Sequence, residues 1–175
     1  MYGMTGIWLF GREFSDHTAK DLLALPTSRT SVVLAKFLVG ALWAATLTVQ
    51  MVLLGLVIGT ALGLPGEVTA GDVLRLPVIA VMTWLLTTPL SLAASLGRGY
   101  LAAVGVLFVI VFCAQIITAL GFGAYFPWSV PGLYAGLGGT TYDPPGVVGY
   151  LLVVLVGAAG VAATAIWWER ADHTR

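Results

Sequence analysis

Four long stretches of the chain are almost continuously apolar, and short segments rich in charge, glycine or proline separate them. They run from Ser31 to about Leu62, Val73 to Leu96, Tyr100 to Phe122 and Gly146 to Trp168. Each is long enough for a helix across a bilayer, which takes roughly 20 residues. Barrel strands would be about 10 residues long and would alternate in polarity. Only helices and closed barrels satisfy their backbone polar groups in lipid. The pattern therefore predicts an all-α, polytopic membrane helix bundle with transmembrane helices at about 35–61, 74–96, 100–122 and 147–168. Residues 1–175 read as a single transmembrane domain: a charged segment at 11–30, four spans within 31–168 that include an external 123–145 segment, and a charged tail at 169–175. Met1 to Phe10 is mildly apolar and too short to span.

Composition and charge sharpen this picture. Of 175 residues, 59% are hydrophobic and 9% charged, against about 25% charged in ordinary globular chains. A soluble fold of this size has too little interior for so much apolar surface. The formal net charge is zero, which gives no reason to expect a nucleic-acid partner. If the segment before the first span is cytoplasmic, Arg12, Lys20, Arg29, Lys36, Arg98, Arg170 and Arg175 lie on or near that side and only Arg75 lies outside. This asymmetry predicts that both termini are cytoplasmic. Lys36, near the start of an apolar run, can snorkel to the headgroups. Tyr100, Trp167 and Trp168 suit the inner interface, and Tyr125, Trp128 and Tyr150 the outer one. The N-terminus has no signal-peptide pattern. Cys113 is the single cysteine, so an intrachain disulfide is excluded.

The chain is poor in catalytic chemistry. Its two histidines, His17 and His173, lie in polar segments, no Asp or Glu sits deep in a span, and no pair has metal-ligand spacing. No catalytic residue, cofactor or metal is expected, and the chain reads as a non-enzyme. The Ser and Thr residues of the spans are better read as hydrogen-bonding between helices or back to their own backbone. Gln50 and Gln115 are the largest polar groups within the spans, and with Thr87 and Thr88 they are the candidates for lining a pathway. Pro89 is expected to kink its helix, with Thr87, Thr88 and Ser91 satisfying the freed carbonyl. The phosphate-binding pattern G-x-x-x-x-G-K-S/T is absent, so transport energy would have to come from a separate ATPase subunit.

The segment 11–30 then becomes informative. Ser15-Asp16-His17-Thr18 offers N-cap residues, and Thr18-x-x-Asp21 fits a capping box. Pro26 ends the helix so predicted, at about Asp16 to Leu25. Phe14, Leu22, Leu23 and Leu25 give it an apolar surface. Lipid at the interface and a cytoplasmic partner are equally good occupants on physical grounds.

A resemblance separates the two. The string REFSDHTAKDLLALPTSRTSVVLAKFLV resembles the segment before the third span of type-2 ATP-binding-cassette (ABC-2) exporter permeases. It is most similar to the bacterial branch associated with bacitracin and lantibiotic export or immunity. Glu13, Thr18, Lys20, Leu22, Leu23, Leu25, Pro26, Arg29 and Lys36 fall on the branch's pattern, and Asp16 and Asp21 extend it. YFPWSVPGLYAG, Tyr125 to Gly136, is similar to the family's external, often re-entrant stretch before the last span. The resemblance implies that 11–30 carries the cytoplasmic coupling helix, with Glu13, Asp16, Thr18, Lys20, Asp21, Leu22, Leu23 and Leu25 facing an ATP-binding subunit. It also implies a second permease copy, a place in the plasma membrane, and ATP-driven export with a peptide antibiotic as substrate. Family members have six spans; MYGMTGIWLF resembles the tail of a second span, so the chain is expected to correspond to the last four. A truncated or non-transporting scaffold or sensor subunit is therefore the alternative reading.

Overall fold

The structure, a computed structural model, describes residues 2–16, 18, 28–63, 70–139 and 141–170. Among these residues there is no strand. The helices are α1 (Tyr2–Ser15), α2 (Arg29–Ala61), α3 (Ala70–Leu96), α4 (Tyr100–Ala119), α5 (Val130–Tyr134) and α6 (Val147–Arg170), with 3-10 turns at Gly123–Tyr125 and Pro127–Ser129. Four helical stretches, Arg29–Ala61, Val73–Leu96, Tyr100–Ala119 and Val147–Arg170, are long and apolar enough to cross a membrane. The protein is thus an all-α, multi-pass membrane helix bundle, as the apolar pattern predicts.

Local chemistry moves two boundaries. α2 begins at Arg29 rather than near 35, because Ser28 Oγ accepts the Ser31 amide at 3.2 Å and caps the helix. α4 stops at Ala119 rather than 122. The Phe122 amide donates to Ile117 O and the Gly121 amide to Thr118 O, with Gly121 at φ 86°, a Schellman ending. α3 ends in the same way: Gly99 N–H donates to Ala94 O and Arg98 N–H to Ser95 O. Here the left-handed position is held by Arg98 at φ 47°, with Gly97 before it and Gly99 after it.

The N-terminal stretch differs from expectation in its local detail. Tyr2 to Ser15 is one helix of 14 residues, about 21 Å long at 1.5 Å per residue and so shorter than a bilayer core. Ser15 is the last residue of this helix. The Asp16 amide donates to Arg12 O at 2.8 Å, and the Thr18 amide donates to Glu13 O at 3.0 Å. The remainder of the expected helix, with Lys20, Asp21, Leu22, Leu23 and Leu25, lies outside the described residues.

α3 is the hub. α6 buries Gly149, Val153, Gly157, Gly160, Thr164 and Trp168, spaced three or four apart and hence on one stripe, which meets Ala124 and Val130 at Gly149 and α3 farther along. A Cβ built on Gly157 would lie 2.9 Å from Leu85 Cβ, and one on Gly160 would lie 2.6 Å from Pro89 N. The two backbones approach this closely because small residues line the seam, which is how helices associate in lipid. α2 buries a single stripe: Val33, Lys36, Phe37, Gly40, Ala44 and Thr48. α4 buries only Ala103, so most of its surface faces away from the bundle. One core gathers Ile7, Phe10, Val33, Phe37, Leu90, Ala94, Ala103 and Trp168. A second, of Met82, Leu86, Val130 and Val153, joins α3 and α6 to the 123–145 segment through Val130.

Pro89 withholds the amide that would have bonded to Leu85 O. Thr88 Oγ1 stands 2.9 Å from that carbonyl and 2.8 Å from Gly157 O, so its one hydroxyl proton serves both the carbonyl that Pro89 frees and the α3–α6 seam. Thr87 Oγ1 donates to Trp84 O at 2.7 Å.

Candidate functional site

One end of the bundle gathers most of the charge. There the C-terminal ends of α1, α3 and α6 meet the N-terminal ends of α2 and α4. Arg12, Arg29, Lys36, Arg98 and Arg170 all sit near this end, and Arg75 sits near the other end of α3.

At its centre is an ion pair. Lys36 projects from the second turn of α2 toward α1, where its Nζ lies 2.5 Å from Glu13 Oε1 and donates to Leu9 O at 3.0 Å. The ammonium also lies 5.0 Å from the Phe10 ring centroid and 5.1 Å from that of Trp168. Lys36 thus does not snorkel. A carboxylate, a carbonyl and two aromatic faces replace water around it, and its side chain is 10% exposed. The second carboxylate oxygen, Glu13 Oε2, is buried without a hydrogen-bond partner among the described residues.

A second tie joins α2 to α6. Arg29 Nη1 donates to Trp168 O and Glu169 O, each at 3.4 Å, placing a cation on the last carbonyls of a helix. Thr30 Oγ1 donates to Glu169 Oε1. Trp168 is fully buried, not interfacial, and its Nε1 donates to Ser95 Oγ at 3.0 Å. The chain between Glu13 and Arg29 is therefore anchored at both ends, to α2 on one side and to α6 on the other. Of the partner-facing candidates, Glu13 is on the last turn of α1 and turned inward, while Asp16 and Thr18 are exposed just after it. Asp16 pairs with Arg12 at 3.2 Å.

The pathway candidates are not brought together. Thr87 and Thr88 are buried in helix packing, whereas Gln50 on α2 and Gln115 on α4 are exposed on the bundle's outside. Close to Gln115 the 123–145 segment folds back into the bundle. Trp128 Nε1 donates to Leu86 O at 3.1 Å, and Ser129 Oγ donates to Ala114 O at 3.2 Å. Leu86 lies ten residues before Leu96, about 15 Å from the basic end at 1.5 Å per residue. The segment thus packs alongside α3 and α4 within the length of those helices, with Trp128 half-buried against Met82, Leu86, Val130 and Val153. Among the described residues, no three His, Cys, Asp or Glu side chains come together as a metal site would require.

Reading the sequence alone missed the Glu13–Lys36 pair and the Trp128–Leu86 bond. A lysine in an apolar run needs a nearby carboxylate, and Glu13 is the last acid before the first helix turns; that signal was available. Nothing in the sequence pointed to Leu86.

The N-terminal two-thirds of the chain, residues 1–114, matches a family model described as ABC-2 family transporter protein. The chain belongs to this ABC-2 family. Over 177 aligned residues it is 27% identical to the bacitracin transport permease protein BCRB of Bacillus licheniformis, a match covering 98% of this chain and 84% of that protein. No solved structure matches the chain at a significant level. The bundle is accordingly a transmembrane transporter subunit, and the charged end just described is that of an ABC-2 permease.

Proposed function

We propose that this chain is the membrane permease subunit of an ATP-driven exporter of peptide antibiotics, coupled to a separate ATP-binding subunit. A second permease copy completes the assembly in the plasma membrane, with both termini cytoplasmic. The relative's name supplies the substrate class, and the basic residues at one end of the bundle supply the orientation.

The double anchoring of the Glu13–Arg29 segment carries this reading. Its first anchor is the Glu13–Lys36 pair and its second is Arg29 on the end of α6. A push on the segment from an ATP-binding partner would reach α1, α2 and α6 together, and α6 is packed against the hub α3, which carries Pro77 and Pro89. Such a connection suits a coupling helix whose displacement re-orients the bundle. Lys20, Asp21, Leu22, Leu23 and Leu25 would meet the partner, and Glu13 would hold the segment to the bundle.

Expression of this chain together with an ATP-binding partner in a bacitracin-sensitive bacterium tests the proposal. Resistance that requires both proteins, and that a hydrolysis-dead partner abolishes, is the expected result. Membrane insertion with no co-purifying ATPase and no resistance would return the chain to the scaffold or sensor reading.

A further inference from the structure

We propose that the cavity between α4 and the re-entrant segment is a hydrated site that takes a few residues of an amphiphilic peptide, with Gln115 as its hydrogen-bonding residue. This inference rests on the export reading above and gives the substrate a place on the chain.

The cavity measures about 580 Å³ and is lined by Gln115, Thr118, Trp128, Ser129, Leu133 and Tyr142, with small residues between them. This volume lies within the range of small-molecule sites, roughly 300–1,000 Å³. Most of its polar atoms are already committed. Thr118 and Ser129 share a hydrogen bond of 2.9 Å, Ser129 also reaches Ala114 O, and the Trp128 N–H is held by Leu86 O. Gln115 and Tyr142 are different: neither the carboxamide nor the phenol makes a hydrogen bond among the described residues, and the carboxamide offers two donors and an acceptor.

Position makes that capacity informative. Phe108, Phe112 and Gln115 fall at i, i+4 and i+7 on one face of α4. Phe108 and Phe112 are 72% and 67% exposed, as lipid-facing residues are. The stripe turns polar only where the re-entrant segment comes alongside. An unpaired carboxamide left in hydrocarbon costs several kcal/mol, so this spot calls for water or a ligand in place of acyl chains. A neighbouring cavity of about 270 Å³ shares Thr118, Leu133 and Tyr142 and carries Asp143, which extends the polar surface toward the end of the bundle opposite the basic one.

The lining chemistry specifies the ligand class. The larger cavity has no formally charged side chain, one free carboxamide, two aromatic walls and an aliphatic floor. A peptide unit fits this set: its main-chain amide pairs with Gln115, and an aromatic or aliphatic side chain lies against Trp128 and Tyr142. Charged headgroups find no partner in it.

Single cysteines at Gln115 and at Phe112, in a Cys113→Ala background, test the proposal in intact cells with a charged, membrane-impermeant thiol reagent. The expected result is labelling of Gln115→Cys but not of Phe112→Cys, and a saturable, severalfold slowing of that labelling by bacitracin. Three results would overturn it: no labelling of Gln115→Cys, oxidative cross-linking of Gln115→Cys to a second copy, or labelling that bacitracin leaves unchanged. Resistance without protection would sink this site while sparing the export reading. Protection without resistance would do the reverse.

Discussion

Lys36 Nζ sits 2.5 Å from Glu13 Oε1, and this pair fastens the last turn of α1 to the second turn of α2. Both side chains are largely buried, so each charge depends on the other for the solvation it has lost. Removing one partner of such a pair typically costs about 3–5 kcal/mol, whereas replacing both with neutral groups costs far less. Glu13→Gln and Lys36→Met should each lower the unfolding temperature in detergent markedly. The double variant should be more stable than either single one. A double variant showing the summed loss of the two would mean that the residues act independently.

The α3–α6 seam yields a sharper steric prediction. A methyl at Gly160 would meet Pro89 N at 2.6 Å and Thr88 Oγ1 closer still, and neither is the free end of a flexible side chain. Gly160→Ala should destabilise the bundle by about 1–3 kcal/mol, the usual range for overpacking. Gly55→Ala, on a stretch of α2 where a Cβ meets nothing within 4 Å, should be neutral or slightly stabilising, as expected for alanine in a helix. Thermal unfolding of the two variants side by side checks the contrast.

Pattern and chemistry were legible in the sequence to different depths. The four spans were, because an apolar run of membrane length admits one backbone solution. Their exact ends were not, since Ser28 and Gly121 act through capping geometry that hydropathy does not register. The role of Thr88 beside Pro89 was legible because a proline frees a known carbonyl and the neighbouring hydroxyl can reach it. The place of Lys36 is less legible: a lone lysine in an apolar run can snorkel, and the carboxylate that holds it inward stands on another helix. Trp128 suits the interface by residue type, and its bond to Leu86 depends on a fold-back that no local signal encodes.

That fold-back gives the third prediction. Trp128→Phe keeps a ring that can still pack on Phe126, whose centroid is now 5.5 Å away, but it strips Leu86 O of its indole donor. Leu86 O keeps the Leu90 amide within α3, so the loss is that of one net hydrogen bond, about 0.5–1.5 kcal/mol. Hydrogen exchange of the 123–134 amides should accelerate, with exchange elsewhere little changed. Trp128→Ala should be worse, since the ring is lost as well. Unchanged protection in Trp128→Phe would show that packing alone holds the segment.

Orientation is testable with the same cysteine-free background. Five of the described basic residues gather at one end of the bundle and Arg75 lies at the other, so the crowded end is expected in the cytoplasm. A cysteine at position 68 should react with an impermeant reagent in intact cells, and one at position 98 should react only after the membrane is opened. The opposite pattern would invert the topology.

The last prediction concerns coupling. The segment between Glu13 and Arg29 carries Leu22, Leu23 and Leu25 as apolar anchors, with Asp16, Lys20 and Asp21 as charges around them. Buried apolar anchors dominate contacts of this kind, each worth roughly 2 kcal/mol or more when truncated, while rim charges mostly tune rate and specificity. Leu22→Asp combined with Leu25→Asp should abolish co-purification with the ATP-binding subunit and leave membrane insertion intact. Lys20→Ala should weaken co-purification only modestly. Glu13→Gln separates docking from transmission: Glu13 faces Lys36 rather than outward, so the partner should still bind, but its ATP hydrolysis should no longer respond to substrate. Wild-type pull-down by the double leucine variant would assign the segment to the lipid interface instead. Loss of pull-down in Glu13→Gln would mean that the carboxylate is part of the docking surface itself.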